Sequence, residues 1–158
     1  MNKRIKDDAA TAYHEAGHAA AYILTNRKFK HVTIKPDEDS SGSLVPHLRS
    51  KGAMHFYNMS IEGLSSYCIR SLSGPIAEFI RTGRNNHVGA KSDYQHVGEV
   101  ILSVFGEDGP TVQLFLKFIK SHTKDLLLAN WDFVERIAHG LMEHEALSYQ
   151  DVIKLRIM

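Results

Sequence analysis

The chain has 158 residues, 43% of them hydrophobic and 23% charged, with 19 basic and 18 acidic side chains. That length is enough for one domain with a real hydrophobic core, and the near-neutral balance gives no field that would recruit nucleic acid or an anionic membrane. Cys68 is the only cysteine, which excludes an internal disulfide, and neither a signal peptide nor a membrane-length apolar run occurs in the sequence; a cytoplasmic location is expected.

In chain order, Ala9, Ala10, Tyr13, Gly17, Ala20, Ala21 and Leu24 recur at three- and four-residue spacing and predict an amphipathic helix over 6–24. Within it lies His14-Glu15-Ala16-Gly17-His18, an HExxH pattern. Two imidazoles four residues apart share one helical face and can reach one zinc ion, and the glutamate between them can take a proton from water. Gly17 costs the helix roughly 1 kcal/mol relative to alanine, and a close approach of neighbouring backbone is the expected compensation. Residues 30–34 predict a short strand and residues 36–42 a turn. Ser43, Leu44 and Val45 predict the returning strand. As an exposed edge beside the zinc it would pair with an extended peptide through backbone bonds; as an internal hairpin strand it would not.

Ile61, Leu64, Cys68, Leu72, Ile76, Phe79 and Ile80 form an apolar stripe that predicts a helix over 60–82, kinked or divided at Gly74-Pro75. Residues 83–89 read as loop. Further helices are expected from Ser92 through Val104, then over 111–130, 132–143 and 148–155. The expected fold is a mainly α-helical α+β domain over 1–158, with the HExxH helix zincin-like, a small β-hairpin or sheet, and a C-terminal helical bundle.

A catalytic zinc takes three protein ligands and keeps one exchangeable position. Asp93, after a glycine-containing loop, is a hard oxygen donor that could turn inward; an ordinary helix cap or first-turn acid is the other reading. Glu78 lies on the helix expected to pack against the HExxH helix, either orienting a metal-bound histidine or pairing in an internal salt bridge. His96 either faces the same cleft, near a substrate oxyanion, or faces solvent. His139 and Glu143, with His144 adjacent, form at most a weak second metal pair. His87 is a loop histidine that could approach the site.

The stretch Ala12-Tyr13-His14-Glu15-Ala16-Gly17-His18-Ala19 resembles the active-site helix of the FtsH family of membrane-anchored, ATP-dependent zinc proteases. His31-Val32-Thr33-Ile34-Lys35-Pro36 is similar to the family's next strand. Ser71-Leu72-Ser73-Gly74-Pro75-Ile76-Ala77-Glu78 resembles its "GGRAAEE" helix, with Pro75 where the family has arginine. Val88-Gly89-Ala90-Lys91-Ser92-Asp93 resembles "TGASND", and Leu141 through Ser148 resembles a closing "LxxxExLs" pattern. The resemblance covers essentially the whole chain but only the family's peptidase domain; no Walker A pattern occurs, so ATP binding is not expected. It implies a zinc peptidase in which His14, His18 and Asp93 hold Zn2+ and Glu15 is the general base, acting on flexible or unfolded polypeptide. Two other readings are a zinc-containing interaction module with weak or lost activity and a nonpeptide amidase. A homo-oligomer is compatible with the resemblance; nucleic acid and membrane partners are not expected.

Overall fold

Alanine and glycine allow the first helix to be enclosed on several sides. In the computed structural model, which describes residues 3–36, 41–46, 59–86, 89–107 and 109–157, α1 spans Lys3–Leu24. Its Ala12, Ala16, Ala19 and Ala20 are fully buried. On one side it packs against α2 (Ile61–Thr82), on another against α5 (Trp131–His144). Gly17 marks the tightest point of the α1–α2 crossing: a Cβ there would lie 2.6 Å from the Ala77 Cβ and closer still to the Ser73 carbonyl. The missing side chain therefore sets the distance between the helices.

The second helix begins at Ser60, whose Oγ accepts from the Gly63 N–H at 3.1 Å. It ends at Gly83, in the left-handed region at φ 68, whose N–H donates to the Phe79 carbonyl. Division at Gly74-Pro75 does not occur; α2 runs through Pro75. Proline removes a single helix donor, and burial of Leu72, Ser73, Gly74, Pro75, Ala77 and Glu78 holds the turn in place.

The remaining helices are α3 (Lys91–Phe105), α4 (Pro110–Ala129) and α6 (Tyr149–Ile157). Leu64, Cys68 and Leu72 of α2 pack with Val97, Val100 and Ile101 of α3 and with Val112 and Ile119 of α4. Each such side chain contributes roughly 1.5–3 kcal/mol by leaving water. The opposite face of α1 shares a second cluster with Val134, Ile137 and Leu141 of α5, joined by Phe29, Val32, Leu147 and Val152. Tyr13 pins this side: its ring stacks on Trp131 at 5.8 Å, and the Arg81 guanidinium lies 5.1 Å from the ring centroid.

A three-stranded antiparallel sheet has the order β2-β1-β3, with β1 at Phe29–Thr33, β2 at Ser43–Pro46 and β3 at Ala146–Ser148. Val32 faces Leu44 on one neighbour and Leu147 on the other. The third strand lies mostly between the expected helices over 132–143 and 148–155 and takes Ser148 from the second of them. Glu145 adopts φ 62, ends α5 and turns the chain, and its carbonyl accepts from the Ile34 N–H and the Thr33 hydroxyl, each at 2.9 Å. Leu147 then points inward between two exposed neighbours, the alternation of a strand. Ser148 and Asp151 bond reciprocally and start α6. Most of the expected 36–42 turn and His87 lie outside the described residues. Mainly helical with a small sheet, the chain is an α+β fold, and among the described residues no helix is long and apolar enough to cross a membrane.

Gly17→Ala is expected to lower the unfolding free energy by about 1–3 kcal/mol in urea titrations, as overpacking does; an unchanged midpoint would show that α1 and α2 can separate freely. Burial also pushes the Cys68 thiol up to about 12, despite the opposing charge of Arg70. Native protein at pH 8 should therefore react with a thiol reagent only as fast as it unfolds, and rapid stoichiometric labelling would contradict the burial.

Candidate metal centre

One face of α2 supplies outer partners for both histidines of α1. Arg70, Gly74 and Glu78 recur every four residues along that face. Glu78 Oε2 lies 3.0 Å from His14 Nδ1, and the Arg70 carbonyl lies 2.7 Å from His18 Nδ1. A carbonyl only accepts, so His18 carries its proton on Nδ1; the carboxylate assigns the same tautomer to neutral His14. Each neutral ring then presents an Nε2 lone pair, and the two Nε2 atoms stand 3.1 Å apart.

Asp93 completes the cluster from the first turn of α3. The cap of α3 is Ala90, so Asp93 is a first-turn residue and not the cap. Oδ2 lies 3.2 Å from His14 Nε2 and Oδ1 lies 3.6 Å from His18 Nε2. Just before α3, Asn86 Oδ1 accepts from the Gly89 N–H and the Asn86 carbonyl accepts from the Ala90 N–H, each at 3.0 Å. Tyr94 N–H then donates to the Ala90 carbonyl as α3 begins.

Two facing lone pairs and a carboxylate repel one another unless a cation lies among them. A proton can serve: burial alone would lower the His14 pKa, but hydrogen bonds to Asp93 and Glu78 and the charge of Glu15 raise it to about 9. Burial pushes the Asp93 carboxyl upward, yet contact with His14 and His18 holds it well below the usual carboxylate range. A divalent metal ion can serve as well. His14, His18 and Asp93 each offer one ligand atom, all within 4.8 Å of one another. Two imidazole nitrogens and one carboxylate oxygen form a donor set that suits zinc and leaves a coordination position open.

Gly74 leaves the room that such an ion requires. A Cβ at this position would lie 2.7 Å from His14 Nε2 and 2.7 Å from His18 Cδ2, and nearer still to His18 Nε2. Neither Gly74 nor the Arg70 carbonyl was singled out as a site group from the sequence. The four-residue spacing to Glu78 was the available signal for Gly74, whereas a backbone carbonyl leaves no mark in residue identity.

Glu15 is 5% exposed, and its Oε2 is buried without a hydrogen-bond partner among the described residues. Burial is the main cause of its raised pKa; His18 and His14 pull it down and Asp93 pushes it up. Ser43, Leu44 and Val45 lie on β2, at one edge of the sheet and partly exposed. His96 is exposed on α3, outside the His14–His18–Asp93 cluster, and His139, Glu143 and His144 are exposed on α5 away from it.

Gly74→Ala favours helix propensity, so its effect on metal can be separated from folding. It is expected to weaken zinc binding by roughly 10–100-fold or more in chelator competition, with helical content retained. Wild-type affinity in a folded Gly74→Ala variant would show that this wall does not bound the metal.

No protein-family model matches the chain. The ATP-dependent zinc metalloprotease FtsH 1 of Alkaliphilus metalliredigens (strain QYMF) is 27% identical over 174 residues, an alignment that covers 92% of this chain and 29% of that protein. The chain thus spans under a third of the length of the curated relative, and the similarity marks a distant FtsH-peptidase-like relation.

Proposed function

We propose that the chain acts as a zinc-dependent endopeptidase on flexible or unfolded polypeptides. The convergence of His14 Nε2, His18 Nε2 and the Asp93 carboxylate, with the buried Glu15 carboxyl on the same helix, carries this reading. The distant similarity to a zinc metalloprotease supports it. Zinc held by these three side chains would supply Lewis acidity, polarising a peptide carbonyl and making water more acidic.

Glu78 and the Arg70 carbonyl keep the two imidazoles in the tautomer whose Nε2 atoms face inward. Glu15 accepts a proton from the attacking water while the oxygen bonds to the carbonyl carbon. As the C–N bond breaks, Glu15 returns that proton to the departing amine. Gly74 keeps the centre open by having no side chain there. The β2 edge from Ser43 to Pro46 offers backbone groups to an extended peptide, a mode of binding largely independent of side-chain identity. His96 and the other exposed histidines take no part in this scheme. A single buried thiol, Cys68, suits a reducing cytoplasm.

The deciding measurement is cleavage of an unfolded, fluorescently labelled protein by zinc-loaded chain, with Glu15→Gln in parallel. Glu15→Gln should retain stoichiometric zinc and lose activity by about 100-fold or more, the usual scale for a general base. Equal cleavage by both proteins would remove Glu15 from the mechanism. Absence of cleavage by folded, zinc-loaded wild type would favour a zinc-containing interaction module.

A further inference from the structure

Gly42 stands one residue before β2, where the sheet meets α1. Its conformation does not demand glycine, because its φ is not in the left-handed region. Space does. A Cβ at Gly42 would lie 2.9 Å from the Thr33 carbonyl oxygen, 3.0 Å from the Thr11 Cγ2 and 3.0 Å from the Glu15 Cγ. Ordinary contacts between carbon atoms are about 3.5–4.0 Å, so all three neighbours are too near for a methyl group. Two of these walls come from successive turns of α1 and the third from the last residue of β1.

The Glu15 Oε2 has no hydrogen-bond partner among the described residues, so packing on its methylene groups bears on where the carboxylate points. The Gly42 backbone comes close to those methylene groups on the side of the sheet, with no room between them for a methyl group. Strand β2, which follows directly, pairs with β1 through Thr33–Ser43 and Val32–Leu44, and among the described residues no strand lies on its other side.

We propose that Gly42 is a positioning residue that locks the free edge of the sheet to Glu15, so that an extended peptide paired on β2 meets the carboxylate at a fixed distance. The proposal rests on the peptidase reading for the role of Glu15. The contact itself is independent of that reading. With alanine at Gly42, Thr33 offers rigid backbone and Thr11 a branched side chain, so Glu15 is the neighbour best able to swing away.

The test uses the full zinc-loaded chain with 13C-carboxyl-labelled glutamate, the Glu15 signal being assigned by its loss in Glu15→Gln. Gly42→Ala should move that signal and lower kcat by about 10-fold or more, on the scale of a displaced catalytic group, while KM changes by less than about 2-fold. Zinc stoichiometry should stay at the wild-type value. Gly140→Ala is the control for a merely structural effect, since its Cβ would meet Leu147 Cδ1 at 3.1 Å on the α5–β3 side of the fold. It should leave both the Glu15 signal and kcat at wild type. An unmoved signal in folded Gly42→Ala, or an equal shift in Gly140→Ala, overturns the proposal. If wild type cleaves nothing, the peptidase reading fails, and the carboxyl signal still decides whether Gly42 holds Glu15. Should Gly42→Ala not fold, Thr11→Ser/Gly42→Ala, which removes the methyl group at 3.0 Å, is read against the same criteria.

Discussion

The contact between α1 and α2 governs the rest of the structure, because both walls of the candidate centre belong to it. Gly17 and Ala77 bring the helices together, and Gly74 leaves a gap one turn away where a side chain would fill the space between His14 and His18. The same proximity places Glu78 and the Arg70 carbonyl within hydrogen-bond reach of the imidazoles. A wider crossing would lose the outer partners, and a bulky residue at Gly74 would close the interior.

Electrostatics then make the cluster a place for a cation. Asp93 remains ionised against two imidazoles, and His14 gains a proton readily despite burial. Glu15 sits beside this charge in a dry position, with one oxygen lacking a protein partner among the described residues. A purely structural metal site gains nothing from such a group. In the proposed mechanism this is the group that carries the proton.

The sheet is small but ties distant parts of the chain to the centre. β3 enters through the left-handed turn at Glu145 and pairs with the second side of β1, so that β2 and β3 are the edges among the described residues. Gly42 brings the β2 edge close to Glu15, leaving no room for a methyl group between them. Substrate platform and proton carrier are thus parts of one packed unit in the proposed mechanism, with α5 and α6 supporting it from behind.

Much of this was legible in sequence because short-range geometry is carried by local spacing. His14 and His18 had to share a face once residues around them formed a helix, and the apolar stripe of α2 followed the same period. The unbroken passage of α2 through Pro75 was not legible, since burial by neighbouring elements outweighs one missing hydrogen bond. Nor was β3, whose three residues form a strand only because β1 offers an edge there. Asp93 could also be read as an ordinary helix cap or first-turn acid until the fold turned its carboxylate onto the histidines. The sequence by itself determined the helices, the spacing of the histidine pair and the acid between them. The tertiary structure alone decided which carbonyl, which carboxylates and which missing side chains surround that pair, because those relations join residues up to 79 positions apart and depend on how closely helices pack.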